Sequence, residues 1–263
     1  MSARENAGTN LPDVAAAAHP DHAGALDWVG MDGIDLPVRH VDAQGNVLLA
    51  PARVSVQVNL ADTQVRGIHM SRLYLLLEKT LAEQTLTPSL LCSLCHALLE
   101  SHAGFATRVR LRIEYAHLLQ RPVRVILNAG GKAYTVTIGA ELLDGHFTLQ
   151  LGCDVQYSST CPASLALSKQ ANQQRFEEDF SAATPTHHAV REWLGSERGM
   201  AAAPHAQRST AKVRVRLAAG FDFPVVELVN AIERALATPV QTAVKREDEQ
   251  AFARLNAENL MFC

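Results

Sequence analysis

Alternating apolar and polar residues predict a series of strands in the first 160 residues. From position 51 to position 60, apolar side chains occupy every second place, which is typical of a strand with one face in water. The same alternation predicts further strands at 107–115, 123–127, 133–138 and 147–157. Gly130 and Gly131 are predicted to form the turn between the middle two.

Two helices are predicted between the first of these strands and the rest. Ser71 is suited to cap a helix whose leucines recur at helical spacing, and Thr87-Pro88 opens a second helix with Leu91, Cys95 and Leu98 on one stripe. The order of strand, two helices and several strands predicts an α+β fold.

The second half of the chain begins the same order again. Residues 164–203 are rich in helix formers and look like an insertion, a strand is predicted at 211–217, and a helix at 222–236 has Glu227 and Glu233 on its outer face. We therefore expect a flexible N-terminal arm (1–27), a first unit (28–160), a loop with a helical insertion (161–204) and an incomplete second unit (205–263).

Composition narrows the possible partners. The chain has 263 residues, of which 48% are hydrophobic, and a formal net charge of -3, so it can bury a large core but has no overall attraction for nucleic acid or anionic lipid. No apolar stretch approaches the roughly 20 residues of a membrane helix, and the polar N-terminus has no signal core. Five irregularly spaced cysteines fit reduced thiols. These features predict a cytoplasmic protein without membrane or nucleic-acid partners.

Three residues in separate motifs offer a mixed donor set for one divalent metal: Cys161, His205 and Glu249. A thiolate, an imidazole and a carboxylate leave a fourth position open, as in catalytic sites. Each also has an ordinary interpretation, since a cysteine after a strand is often a core thiol and Glu249 lies in a charged run typical of a solvated face. Their spacing alone does not decide between these interpretations.

Two other histidine-containing motifs favour ordinary interpretations. Cys92-Ser-Leu-Cys95-His96 matches the haem-attachment pattern, but it lies within an amphipathic helix, so buried thiols are the better interpretation. His187-His188 follows Pro185 and is predicted to be a solvated loop pair.

Five motifs, taken in order, resemble the type IB GTP cyclohydrolases. They are Leu11-Pro12-Asp13 with Val29-Gly30-Met31-Asp32-Gly33-Ile34, Arg66-Gly67-Ile68-His69-Met70-Ser71-Arg72, the Cys161 and His205 motifs, and Lys245-Arg246-Glu247-Asp248-Glu249. The family's shortest form places the histidine soon after the cysteine, where this chain has none, so the ligand is assigned to His205.

The resemblance implies a tunnelling fold and a reaction. The fold consists of two tandem units of strands and paired helices, with antiparallel sheets, assembled into a homotetramer with active sites at subunit interfaces. The reaction converts GTP and water to 7,8-dihydroneopterin triphosphate and formate, the entry step to folate-type pterins.

The resemblance also implies residue roles. Cys161, His205 and Glu249 would hold manganese or zinc, with Cys161 and His69 counted as catalytic, and His69 either contacting phosphate or moving protons. The candidates for binding GTP are Ser71, Arg72, Arg208, Ser209, Lys245 and Arg246.

Two departures from the family pattern give further expectations. Ala163 replaces a second cysteine that is not the ligand position. Family members continue beyond the equivalent of Cys263 with a Glu-Asp pair that holds the guanine, so we expect a chain shortened at its C-terminus. The alternative is a non-catalytic paralogue that acts as a binding or regulatory subunit.

Overall fold

The computed structural model describes residues 24–61, 67–122, 129–182, 184–218, 220, 222–238, 240, 249 and 253–254. Within these residues there are six strands: β1 (Leu26–Val41), β2 (Val47–Leu60), β3 (Arg108–Pro122), β4 (Ala129–Leu143), β5 (His146–Thr160) and β6 (Ala206–Arg216). The same residues contain five α-helices: α1 (Met70–Glu83), α2 (Pro88–Glu100), α3 (Pro162–Asp179), α4 (His187–Leu194) and α5 (Val225–Leu236). A short 3-10 turn spans Glu197–Gly199.

The strands form one six-stranded antiparallel sheet in sequence order, β1-β2-β3-β4-β5-β6. Each strand therefore pairs with its neighbour in the chain, even where helices intervene. The predicted α+β class is confirmed, and the predicted strands at 51–60, 107–115, 147–157 and 211–217 correspond to β2, β3, β5 and β6.

Strict alternation gives the sheet one apolar face. On β2 the side chains of Val54, Val56 and Val58 have no exposed area, whereas the residues between them face away from the core. Helix α1 packs against β1 and α2 on the apolar face and buries Leu73, Leu77 and Leu81 completely. Full burial of each such side chain contributes roughly 1.5–3 kcal/mol before conformational entropy is counted, so this face is a main source of stability.

Strand β1 was missed by the pattern of alternation because its register is irregular. Its pairing with β2 shifts between Leu26 and Val29 and again between Met31 and Ile34. At Gly30 the backbones approach so closely that a Cβ atom would lie 2.0 Å from the carbonyl oxygen of Val56. Such bulges break the two-residue period on which strand prediction depends.

The chain divides into two compact units, each built from separate segments. The first comprises Met1–Leu118, Ala133–Cys153 and Arg214–Val225, and the second comprises Leu119–Lys132, Asp154–Val213 and Val226–Cys263. In the first unit, helix α1 packs against β1 and against α2. In the second unit, Val229 and Ile232 of α5 are buried.

The second unit contains an ion pair network that corrects one prediction. Glu233 was expected on the outer face of its helix, but its side chain is only 15% exposed and lies 3.0 Å from Lys132 Nζ and 3.7 Å from Arg121 Nε. Arg121 also donates a 2.6 Å hydrogen bond to Asn230 Oδ1. The helical spacing of the sequence could not show that Lys132 and Arg121, which lie on other segments, contact Glu233.

Further differences concern the predicted turns and loops. Gly130 and Gly131 lie within β4 rather than in a turn. The predicted strand at 123–127 falls outside the described residues.

His187 and His188 are exposed, as predicted, but they begin α4 instead of lying in a loop. Thr186 caps that helix by accepting from the Ala189 amide at 3.2 Å, a cap that the sequence analysis missed. Most of the predicted arm also falls outside the described residues.

The thiols of the haem-like motif differ in environment. Helix α2 starts as predicted at Pro88, with Thr87 Oγ1 accepting from the Leu90 amide. Cys95 is fully buried, and burial raises the pKa of its thiol to about 12, whereas Cys92 is only half-buried. The burial predicted for this pair is therefore confirmed for Cys95. In the part of the chain that is described, no helix is long and apolar enough to cross a membrane.

Candidate active site

Cys161 lies where strand β5 gives way to helix α3. It is the N-cap residue, its backbone is extended, and Pro162 occupies the first helical position, where its missing amide hydrogen costs nothing. The Cys161 carbonyl accepts the first helical hydrogen bond from the Leu165 amide at 3.0 Å. The thiol is partly exposed and forms no disulfide. A helix N-terminus stabilises negative charge, and thiolate is the form of cysteine that binds metals, so this position suits a ligand.

His205 is exposed and lies directly before β6. Its backbone amide donates to Ser164 Oγ at 3.3 Å, and Ser164 lies in the first turn of the helix that Cys161 caps. This hydrogen bond joins the loop before β6 to the start of α3. The structure therefore brings the Cys161 and His205 segments together. Ser164 had no assigned role in the sequence, although its place three residues after Cys161 puts it in the first helical turn.

The next candidates, Arg208 and Ser209, lie on β6. Ser209 Oγ is 2.7 Å from Ser159 Oγ, and Ser159 is almost fully buried near the end of β5. This hydroxyl pair connects β6 to the strand that leads into Cys161. Arg208 is exposed, so its guanidinium is accessible to a solute.

Glu249 is helical and exposed, and the residues on either side of it fall outside the described part of the chain. Lys245 and Arg246 fall outside it as well. Among the residues that are described, no three side chains of histidine, cysteine, aspartate or glutamate are grouped closely enough to hold a metal ion. The three donors fit manganese or zinc by their chemistry, and their assignment as one ligand set stays a prediction.

A second group of candidates lies at the start of α1 in the first unit. His69 is the N-cap residue, and its carbonyl accepts from the amides of Arg72 at 3.0 Å and Leu73 at 3.4 Å. Ser71, the cap expected from the sequence, lies instead in the first turn with Arg72, and both residues are exposed. Arg72 Nη1 donates to the Ser101 carbonyl at 3.2 Å, which fixes the direction of its side chain and leaves further guanidinium donors available. This end of the helix combines a cation, a hydroxyl and an imidazole, the groups that suit a phosphate.

His102 is a buried neighbour of this group, and no sequence motif assigned it a role. Its ring has no exposed area, and its Nε2 accepts from the His69 backbone amide at 3.2 Å. Burial is the largest cause that lowers the pKa of His102, and the charges of His69 and Arg72 lower it further. One signal was available in the sequence, since position 102 continues the apolar stripe of Leu91, Cys95 and Leu98 past the end of α2.

Comparison with known protein families identifies the class of proteins to which this chain belongs. Residues 11–263 match the family described as type I GTP cyclohydrolase folE2, which covers nearly all of the chain and every motif that carried the resemblance.

Individual relatives agree with that class. Proteins named GTP cyclohydrolase FolE2 are 47% identical in Pseudomonas putida and 41% identical in Hydrogenovibrio crunogenus, each over 96% of this chain and over 82% and 81% of the relative. The protein of that name from Pseudoalteromonas translucida is 42% identical over 96% of this chain and 84% of its own length. The chain belongs to the type I GTP cyclohydrolase folE2 family.

Proposed function

We propose that this protein is a metal-dependent hydrolase of the type IB class that converts GTP and water to 7,8-dihydroneopterin triphosphate and formate in folate biosynthesis. The observation that carries the proposal is the match of residues 11–263 to the family, supported by the partly exposed Cys161 thiol beside the segment of His205. The non-catalytic alternative gains no support, because the relatives described above are named as enzymes.

The proposed metal ligands are Cys161, His205 and Glu249, with manganese or zinc as the ion. A bound divalent ion of either kind would supply a nucleophilic hydroxide near neutral pH for attack on C8 of the guanine. The chain's own contribution is to hold the donors. Cys161 is fixed by its cap position, and the His205 backbone is tied to Ser164 Oγ.

The triphosphate requires cations and neutral donors. Arg72 and Arg208 are exposed and therefore accessible to phosphate oxygens. Guanidinium groups pair with phosphate through two parallel hydrogen bonds, which orients the substrate as well as attracting it. The complete proposed set for GTP is Ser71, Arg72, Arg208, Ser209, Lys245 and Arg246.

Proton transfers are needed to open the imidazole ring, to release formate and to close the pterin ring. His69 is the candidate proton carrier of the α1 group, and the residue is half-buried. A phosphate contact is the other role open to His69. A His69→Gln variant separates the two roles, because glutamine can still donate to phosphate but cannot carry a proton at neutral pH.

The proposal extends to the assembly. The tunnelling fold would place a first unit at 28–160 and a second at 205–263, with the insertion at 161–204 between them, and four copies would form the homotetramer. The continuous antiparallel order of the sheet is compatible with such a fold. A cytoplasmic location stays a prediction from the sequence.

The test compares two cysteine variants for turnover and for bound metal. Cys161→Ala should abolish formation of the neopterin product, which is fluorescent after oxidation, and should lower the metal content of the purified protein. Cys92→Ala is the matched control, because Cys92 is also a partly exposed free thiol but lies in helix α2. Full turnover by Cys161→Ala, or an equal loss in both variants, would contradict the metal assignment.

A further inference from the structure

We propose that His102 is a positioning residue that holds His69 and Arg72 in the orientation needed to bind the GTP triphosphate. The inference rests on the proposed function of these two residues, and it assigns a role to a buried histidine outside the motifs that define the family resemblance.

The contacts of His102 determine which of its ring nitrogens carries the proton. Nε2 receives the His69 backbone amide at 3.2 Å, so Nε2 must be unprotonated to act as the acceptor. Nδ1 lies 3.2 Å from the Leu98 carbonyl and 2.8 Å from Ser101 Oγ. The carbonyl can only accept, so Nδ1 carries the hydrogen. Both ring nitrogens are thus used by the neutral ring in one tautomer.

The hydrogen bond from the His69 amide to His102 Nε2 ties the cap residue of α1 to the turn that follows α2. The His69 N–H belongs to the cap residue and precedes the helical hydrogen bonds of α1, and the His69 side chain accepts no capping hydrogen bond from the first turn. His102 therefore favours the backbone conformation in which His69 ends the loop and Arg72 lies in the first turn.

Two further contacts link the same segment to the side chains of the motif. Arg72 Nη1 donates to the carbonyl of Ser101, the residue directly before His102. The rings of His69, His102 and Phe105 form a cluster with centroids 5.5–6.2 Å apart, which restricts the rotation of His69. The turn at the end of α2 thus contacts both His69 and Arg72. The full burial of His102 keeps water from competing for its hydrogen bonds.

The proposal predicts a specific pattern in three variants. His102→Leu keeps an apolar side chain of similar size but removes the acceptor, and we expect kcat/KM for GTP to fall roughly 10- to 100-fold, chiefly through KM. His102→Gln offers an amide oxygen near the position of Nε2 and should recover most of that loss. His117→Leu is the control, since His117 is a buried histidine of the same unit whose ring nitrogens have no hydrogen-bond partner among the described residues.

The results for these variants test the role of His102 separately from the proposed function. The inference is overturned if kcat/KM for GTP falls no more in His102→Leu than in His117→Leu, or if His102→Gln does not recover it. Hydrogen exchange of the His69 amide gives a readout that does not need turnover, and it should be slow in the unaltered protein and fast in His102→Leu. Equal exchange in the two proteins also overturns the inference. If the unaltered protein has no turnover, the proposed function fails, whereas the His69 exchange rates still test the contact.

Discussion

Replacing Glu233 with glutamine tests whether the ion pair network of the second unit contributes strongly to stability. The Glu233, Arg121 and Lys132 side chains are 15%, 17% and 11% exposed, so the three charges are largely removed from water. Glutamine keeps the size and hydrogen-bonding capacity of the side chain but leaves the two cations without their carboxylate.

The expected magnitude follows from the two distances. At an effective permittivity of about 20, a pair at 3.0 Å contributes about 5.5 kcal/mol and a pair at 3.7 Å about 4.5 kcal/mol. Desolvation of the carboxylate offsets several kcal/mol of this sum, and experiments in which one partner of a buried pair is removed give losses of about 3–5 kcal/mol. We expect Glu233→Gln to lower the free energy of unfolding by about 3 kcal/mol.

Urea unfolding followed by circular dichroism measures this change. Glu227→Gln is the matched control, because Glu227 is exposed in the first turn of the same helix and its loss should cost at most about 1 kcal/mol. The Glu233→Gln loss should also change little between low and high salt, since buried pairs are weakly screened. Equal small losses in the two variants would show that the Glu233 ion pairs add little to stability.

Two other predictions concern the first unit. Gly30→Ala should lower the melting temperature markedly, because the added Cβ would lie 2.0 Å from the Val56 carbonyl oxygen. Gly24→Ala is the control, since its Cβ would meet nothing within 4 Å and thermal unfolding should be unchanged. Similar melting temperatures for the two variants would contradict the close approach at Gly30. Burial lowers the pKa values of His40 and His117 below the usual 6.5. Below pH 6.5 the unfolded chain therefore binds more protons than the folded chain. The free energy of unfolding, which has its full value above pH 6.5, should decline as the pH falls through the lowered pKa values. Urea unfolding between pH 7 and pH 5 measures this decline, which His117→Leu should reduce; an unchanged slope in that variant would count against it.

Regular patterns made most of the fold predictable. The alternation on β2 and the leucine stripe of α1 each report a single buried face, and a single sequence suffices to detect such a face. Strand β1 escaped because two register shifts and the close approach at Gly30 interrupt its period. Glu233 was misplaced because its partners come from segments more than 100 residues earlier in the chain, and sequence periodicity carries no information about such contacts.

The candidate site was predictable as motifs but not as contacts. Cys161 appears in the structure at the boundary where the sequence placed it, between a strand and a helix. The contacts that hold the motifs in place, Ser164 with His205 and His102 with His69, join residues 41 and 33 positions apart. Contacts of this kind depend on the tertiary fold, and so they became visible only in the structure.

The fate of C8 of the substrate distinguishes ring opening of GTP from simple phosphate hydrolysis. GTP labelled with carbon-13 at C8 is incubated with the metal-loaded protein, and the products are measured by nuclear magnetic resonance and by fluorescence after oxidation. If the protein has the proposed activity, labelled formate and the neopterin product appear in equal amounts. Release of phosphate or GDP with the label still in the guanine ring would contradict it.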